Sequence, residues 1–206
     1  MMWPLFVCAI LSVAVIIERS VVLARSAKSG QELADRVRQL LEQGRDQLAL
    51  DATQRADGPV ASLLSDAIRH RDLSYNLLEK RLEERALTET PKLTQRLNIL
   101  DTIITISPLL GLLGTVTGMI AAFHVVGDPS TANGPSAITG GVAEALIATA
   151  TGLTIAIVTL IGYNSLGEKV KKVVAEMELS STQVLNVLAT RPQLPPIPNE
   201  AAPARA

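Results

Sequence analysis

The 206-residue chain is aliphatic, poor in aromatic side chains and almost neutral. Hydrophobic residues make up 48% of it, aromatic residues 2% and charged residues 19%, and the formal net charge is −1. This composition is typical of lipid-embedded helices rather than of a soluble enzyme, and it lacks the basic surplus of a protein that binds nucleic acid. The single cysteine, Cys8, excludes an intrachain disulfide and a cysteine-based metal cluster. We expect neither a metal nor a cofactor.

Three apolar runs predict three membrane-spanning helices. Residues 1–17 carry no charged side chain, and neither do the 26 residues of 102–127 or the 23 residues of 145–167. Each of the two longer runs suffices for a helix of about 20 residues, which crosses about 30 Å of hydrocarbon. We place spans 1, 2 and 3 at residues 1–17, 99–126 and 140–166.

The distribution of lysine and arginine predicts the orientation of these spans. Fourteen of the 19 basic residues lie between Arg19 and Arg96, and the other five lie at or after Lys169. Because such residues are retained on the cytoplasmic side, residues 18–98 and the carboxy-terminal part are expected inside. The amino terminus and the connection 127–139 are then expected outside.

The first apolar run has an alternative interpretation as a cleaved signal peptide, since small residues occur at 24–27. However, no basic residue precedes the run, and Glu18 and Arg19 follow it directly. This charged pair resembles the end of a helix rather than a cleavage region. We therefore interpret residues 1–17 as a retained span.

Helical periodicity continues in the predicted inside region, residues 18–98. We predict a helix over Gln31–Gln43 that stops at Gly44, a short helix to Ala56, and a third helix that begins at Pro59. The apolar stripe of this third helix continues past Pro91, so we expect one long helical rod that enters span 2.

The fold class follows from these elements. Span 3 continues as an amphipathic helix over 167–190, and the Pro- and Ala-rich residues 191–206 are typical of a disordered tail. The inside region 18–98 shows no alternating strand pattern. The sequence thus predicts an all-α membrane protein with three transmembrane helices, in which spans 2 and 3 extend into the cytoplasm as long helices.

Small residues recur at three- and four-residue steps on one face of each of the last two spans. They are Gly111, Gly114 and Gly118 in span 2, and Ala148, Gly152 and Ala156 in span 3. Such spacing lets helix backbones approach closely in lipid. We expect these residues to pack spans 2 and 3 together and to favour an oligomer.

Glu144 is the sharpest candidate for chemistry. It lies about five residues into span 3, with 15 uncharged residues before it and 23 after it. An acid at the centre of a membrane helix costs about 2.5–3.5 kcal/mol on insertion scales, so we expect it to face a protein interior or a water-filled cavity. Loss of water favours its protonated form, which makes it a candidate proton carrier. The alternative is an interfacial glutamate near the outer headgroups.

Threonines surround Glu144 on the helical wheel. At 100° per residue, Thr151 lies about 20° from Glu144, Thr159 about 60°, Thr154 about 80° and Thr149 about 140°. Thr151, Thr159 and Thr154 form a polar face with Glu144 that suggests a hydrated path along span 3, whereas Thr149 lies away from this face. A single threonine in a membrane helix, however, more often bonds its own backbone carbonyl.

The remaining titratable candidates and motifs have simpler interpretations. Asp101 lies at the inner end of span 2, where an acid stays hydrated, and His124 is most simply an interfacial histidine. The run GLLGTVTG at 111–118 is rich in glycine but lacks the Gly-Lys-Ser/Thr of a phosphate loop. We therefore predict no enzyme.

Two stretches together resemble the MotA/TolQ/ExbB proton-channel family, and specifically its ExbB-like members. They are SPLLGLLGTVTGMIAAF at 107–123 and GVAEALIATATGLTIAIVTLIGYN at 141–164. The first span, MWPLFVCAILSVAVIIERSVVL at 2–23, is similar to that of the same group. The resemblance implies an inner-membrane pentamer around a pore that holds a single-span ExbD-like partner. Proton flow through it would energise a TonB-like protein for uptake across the outer membrane.

The resemblance also implies a set of pore residues. The glutamate of the family's pore aligns with Glu144, its span 2 threonine with Thr115 and its span 3 threonine with Thr149. The helical wheel instead favours Thr151, where many relatives carry an apolar residue, so both threonines are kept as candidates. Two alternatives stay open: a TolQ-like subunit that serves envelope integrity, and a membrane scaffold that conducts no protons.

Overall fold

The computed structural model of the chain describes residues 2–126 and 134–190, with side chains over 2–124 and 139–190. Six helices and no strand occupy this part of the chain. Their bounds are α1 Met2–Glu42, α2 Asp46–Gln54, α3 Pro59–Arg69, α4 Tyr75–Thr94, α5 Leu97–Val126 and α6 Gly134–Ala189. The predicted all-α class is confirmed. The predicted tail 191–206 and most of the predicted outer connection lie outside the described residues.

Three of these helices are long and apolar enough to cross a membrane. The qualifying stretches are Met2–Glu42, Leu97–His124 and Thr139–Ala189. Apart from residue 1, which lies outside the described residues, each predicted span falls within one of α1, α5 and α6. The chain is therefore a membrane protein with three candidate transmembrane helices, as the sequence predicted.

The expectation that Glu18 and Arg19 end the first helix is wrong. One helix of 41 residues, α1, continues through this pair to Glu42. Residues 24–31 contain no proline, and a charged pair ends the apolar surface of a helix without breaking its backbone hydrogen bonds. Gly30 within this stretch is buried against Val60 of α3, where an added β-carbon would lie 2.9 Å from Val60 Cγ2.

Gly44 ends α1, as predicted. Its φ of +77° lies in the left-handed region that favours glycine. The Gly44 amide donates to the Leu41 carbonyl at 2.9 Å, and the Arg45 amide donates to the Leu40 carbonyl at 2.9 Å. These two bonds form a Schellman motif, which satisfies carbonyls at the helix end.

The predicted third helix is two helices, α3 and α4, so that expectation is also wrong. The chain leaves the helix at His70 and restarts after Ser74, whose carbonyl accepts the amides of Leu77 and Leu78. The pair forms an antiparallel hairpin, because Arg81 of α4 bonds Asp66 near the end of α3 at 3.0 Å, while later residues of α4 reach the start of α3. The two apolar stripes face each other and look continuous in sequence.

Glu89 fastens the start of α3 to α4. It is buried, and it accepts hydrogen bonds from Ser62 of α3 at 3.0 Å and from Lys92 at 2.8 Å, with Arg85 within 3.3 Å. Burial acts to raise the pKa of Glu89, but these hydrogen bonds and the charges of Lys92 and Arg85 outweigh it and hold the pKa below 4.5. The carboxylate is therefore a buried ion with its partners in place.

The expected continuous rod into span 2 is interrupted, although not at a proline. Helix α4 passes through Pro91 and ends at Thr94, and α5 begins at Leu97. Between them Arg96 has a φ of +69°, a conformation that costs a residue with a side chain about 1–2 kcal/mol. The Arg96 guanidinium donates to Glu18 of α1 at 2.6 Å.

The described chain divides into two compact units. Of the described residues, the membrane unit comprises 2–20, 95–126 and 134–167. The other unit, called the inside unit after the predicted inside region that it contains, comprises 21–94 and 168–190. In the membrane unit, Leu5, Ile103 and Ile155 join α1, α5 and α6 in one apolar cluster. The inside unit buries a larger aliphatic core, which includes Val37, Leu41, Leu63, Leu64, Ile68, Val173 and Met177.

Candidate functional site

Helices α5 and α6 pack at backbone contact, and small residues make this possible. Three contacts define the register: Gly118 with Ala145, Gly111 with Thr149, and Gly152 with Ser107. Numbers fall along α5 as they rise along α6, so the helices are antiparallel. A β-carbon added to Gly152 would lie only 2.5 Å from the Ser107 carbonyl oxygen. The other small residues of the predicted packing stripes, Gly114, Ala148 and Ala156, are buried as well.

Thr149 links the two helices through its side chain. Its hydroxyl donates to the carbonyl of Gly111 at 2.9 Å. The bond exists because Gly111 has no side chain to hold α6 away: an added β-carbon would lie 3.0 Å from Thr149 Cα. The hydroxyl oxygen still has lone pairs with which to accept a hydrogen bond.

Thr115 lies one turn from this contact along α5. Its side chain is half-buried, and its hydroxyl donates to the Leu112 carbonyl at 2.7 Å within the same helix. The structure thus brings Thr115 near the Gly111–Thr149 contact. These are the two threonines that the family resemblance selected, and their role in a pore remains a prediction.

Glu144 lies beside the contact of α5 with α6, but its side chain is not part of that contact. Its neighbour Ala145 packs against Gly118, while the Glu144 side chain is exposed and has no hydrogen bond or ion pair to another described residue. The described residues of the chain therefore do not supply the expected shelter for this carboxyl group.

The other threonines of the Glu144 face have different surroundings in the described residues, and their role in a proton pathway remains a prediction. Thr151 is half-buried beside the start of α1, in a depression lined by Met2, Phe6 and neighbouring apolar residues. Thr159 is fully buried in the packed unit, and Thr154 is exposed. Each of the three donates its hydroxyl to the carbonyl four residues earlier, at 2.7–2.8 Å. The simpler interpretation of these hydroxyls, backbone bonding, is the one that the structure displays.

Ser107 is a polar residue of this region that sequence reasoning missed. It is fully buried, and its hydroxyl has no hydrogen-bond partner among the described residues. The signal that could have found it is the Ser-Pro pair at 107–108 inside an apolar span. Pro108 has no backbone N–H, so it leaves a carbonyl of α5 without its helix partner and marks this part of the span as polar. Within the described residues, no group of three His, Cys, Asp or Glu side chains is arranged to hold a metal ion.

Comparison with known proteins places this geometry in a family. Residues 55–179, which include Thr115, Glu144 and Thr149, match the MotA/TolQ/ExbB proton channel family. The chain is 34% identical over 162 residues to the putative biopolymer transport protein ExbB-like 3 of Synechocystis sp., with 78% of this chain and 77% of the relative covered.

Two proteins named biopolymer transport protein ExbB are also similar. The one from Aquifex aeolicus is 41% identical over 87 residues, which cover 42% of this chain and 58% of the relative. The one from Pseudomonas putida is 32% identical over 133 residues, which cover 60% of this chain and 40% of the relative. The chain thus spans about half the length of these two relatives. From its match over more than half of its length, the chain belongs to the MotA/TolQ/ExbB proton channel family.

Proposed function

We propose that the chain is the proton-conducting subunit of an ExbB-like motor in the bacterial inner membrane. Together with a single-span ExbD-like partner, it uses the proton motive force to energise a TonB-like protein for uptake across the outer membrane. The observation that supports this most directly is Glu144, an exposed carboxyl group beside the contact of α5 with α6 that has no partner among the described residues.

The exposure of Glu144 argues for an assembly. An ionisable side chain left in lipid costs several kcal/mol, whereas the same side chain in a ring of copies around a partner helix faces protein and water. The resemblance implies a pentamer. Small-residue contacts of the kind seen at Gly111 and Gly152 permit the close helix approach that such a ring needs.

The hydroxyl oxygens of Thr115 and Thr149 can accept hydrogen bonds. Each hydroxyl donates its hydrogen to a backbone carbonyl, so its oxygen remains an acceptor for water or for protonated Glu144. The two hydroxyls lie about one turn apart along α5, since Thr149 contacts Gly111. Water molecules held at these oxygens carry a proton past the contact of Gly111 with Thr149.

The energy source sets the scale of the work. Each proton that crosses 100 mV releases about 2.3 kcal/mol. Protonation neutralises Glu144 and weakens its attraction to charged or polar groups on the partner helix, and deprotonation restores it. Alternation of these two states between neighbouring copies moves the partner helix relative to the ring. Proton flow is thereby converted into motion.

The test measures growth that depends on energised uptake. The strain lacks its own copy of the gene for this chain and carries the wild type or a variant instead. Glu144→Gln keeps the size and hydrogen bonding of the side chain but cannot ionise, so we expect it to abolish growth under iron limitation. Glu168→Gln is the matched control, because Glu168 is an exposed acid of α6 outside the spans, paired with Lys171 at 2.8 Å. Normal growth of the Glu144→Gln strain contradicts the proposal.

The same strains separate the alternatives. A TolQ-like subunit uses the same chemistry for envelope integrity, so its deletion sensitises cells to detergent and leaves iron uptake intact. The similarity to proteins named ExbB favours the uptake role. A scaffold that conducts nothing gives equal proton flux in vesicles that hold the wild-type chain and in vesicles that hold the Glu144→Gln variant, with and without the partner.

A further inference from the structure

Asp101 is an acidic residue of α5 that the proposed function does not use. Its side chain is exposed, and its carboxylate has no hydrogen bond or ion pair to another described residue. It lies four residues after Leu97, where α5 begins. The helix dipole stabilises acids mainly within the first turn, so Asp101 is past the position where a capping role would explain it.

Two faces of α5 are occupied by neighbouring helices, and Asp101 lies on neither. Gly111 marks the face against α6, and Ile103 marks the face against α1 through its cluster with Leu5. At 100° per residue, Asp101 lies about 80° from Gly111 and about 160° from Ile103. Thr115 lies midway between the two, about 40° from Asp101 and about 40° from Gly111. A third face of α5 therefore carries Asp101, and Thr115 lies on the border between this face and the contact with α6.

Polar groups are available along this third face between the two residues. Thr105, about 40° from Asp101, donates its hydroxyl to the Asp101 carbonyl at 3.1 Å and keeps its oxygen as an acceptor. Pro108, about 20° from Asp101, has no amide hydrogen, so the carbonyl of Ile104 loses its helix partner. Backbone carbonyls freed in this way inside a membrane are satisfied by water or protein groups.

The register of α5 and α6 sets Asp101 and Glu144 at opposite ends of the pair. The contact of Ala145 with Gly118 places Glu144 near the level of residue 119 on α5. Asp101 is 18 residues from that level, or about 27 Å at 1.5 Å per residue. This separation approaches the ~30 Å thickness of the hydrocarbon core. One carboxyl group thus lies toward each end of the span.

We infer that Asp101 is the inner terminus of the proton pathway that begins at Glu144, an inference that rests on the proposed function. Protonated Glu144 gives its proton to water held at Thr149 and Thr115, and water on the third face of α5 passes a proton to the Asp101 carboxylate. The neutral Asp101 carboxyl then releases that proton to the water inside. No bond other than O–H forms or breaks, and each carboxyl returns to its starting state.

The experiment is proton flux into liposomes that hold the complex of the full chain with its single-span partner, driven by a potassium diffusion potential. Asp101→Asn keeps the size of the side chain but cannot accept a proton, so we expect flux to fall about tenfold or more. Asp101→Glu restores most of it. Azide, a small weak acid placed on the cytoplasmic side, also raises the flux of Asp101→Asn, because it takes up protons where the carboxylate is missing.

Two further variants separate this inference from the proposed function. Glu168→Gln is the control and conducts like the wild type. If Glu144→Gln conducts normally, the proposed function is overturned. If Glu144→Gln is inactive while Asp101→Asn conducts normally, only the present inference is overturned. Two further outcomes would assign Asp101 a structural role and so overturn the present inference. One is that Asp101→Asn fails to assemble with the partner. The other is a reduced flux that neither Asp101→Glu nor azide restores.

Discussion

The hydroxyl of Thr149 makes the one side-chain hydrogen bond that we describe between α5 and α6, and its loss should have a measurable but small cost. Thr149→Val keeps the shape of the side chain and removes the bond to Gly111, and such bonds in membranes average about 0.6 kcal/mol. We expect that loss of stability in detergent unfolding, and a proton flux reduced less than by Glu144→Gln, because no charge is removed.

Thr154→Val is the matched control for this substitution. Thr154 is exposed and bonds only the Ala150 carbonyl of its own helix at 2.8 Å. The variant should unfold and conduct like the wild type. Equal effects of Thr149→Val and Thr154→Val would show that the contact with Gly111 contributes nothing specific.

Glu89 gives the inside unit a defined dependence on pH. Its pKa in the folded chain is held below the ordinary 4.5, so its stabilising effect is complete above pH 4.5 and is lost as pH falls through the lower, folded value. Glu89→Gln should unfold at a lower temperature than the wild type at pH 7. The difference should narrow below pH 4.5, and thermal unfolding of the full chain in detergent measures it. A constant difference across this range would contradict the assignment.

At the scale of helices, the contact of Gly152 with Ser107 limits how closely α5 and α6 approach. Gly152→Ala puts a β-carbon 2.5 Å from the Ser107 carbonyl oxygen, and overpacking of this kind costs about 1–3 kcal/mol. Gly167→Ala is the matched control in the same helix, since nothing lies within 4 Å of its β-carbon position. That change should stabilise α6 by about 0.5–1 kcal/mol. Denaturant unfolding in detergent measures the stability of both variants. Equal stability of the two would contradict the close packing of Gly152 against Ser107.

Helix existence was predictable from the sequence, whereas several helix ends were not. The apolar runs and the Gly44 stop are local signals, and both were read correctly. The break between α3 and α4 was missed because two helices of a hairpin bury facing stripes that share one spacing. The break at Arg96 was missed because nothing in its local sequence demands a positive φ. Its ion pair with Glu18 joins residues far apart in the chain.

The candidate site was likewise predictable where the signal is local and not where it depends on contacts between helices. Glu144 stands out because a charge in an apolar run is visible without any neighbour. The choice between Thr149 and Thr151 was open, because a helical wheel cannot tell which neighbour each face of α6 meets. The structure puts Thr149 against α5 and Thr151 beside α1. Ser107 was passed over because its burial depends on α6 lying against it.

At the scale of the whole molecule, the exposed surface of the spans combines large apolar side chains with the carboxyl group of Glu144. Large side chains such as Trp3, Phe123 and Leu146 are more than half exposed, as lipid-facing residues are expected to be. Glu144 is exposed in the same unit, yet an ionised carboxyl group is unstable against lipid. In the proposed assembly, neighbouring copies and the partner helix complete the environment of Glu144.

The most direct test of this account is covalent labelling of the assembled complex with dicyclohexylcarbodiimide, an apolar reagent that attacks protonated carboxyl groups. We predict that mass spectrometry finds Glu144 modified before any other carboxyl group. Proton flux into liposomes should fall in proportion to that modification, while the Glu144→Gln complex is neither labelled there nor further inhibited. Undiminished flux through a complex in which Glu144 is fully modified would contradict the central claim that this side chain carries the proton.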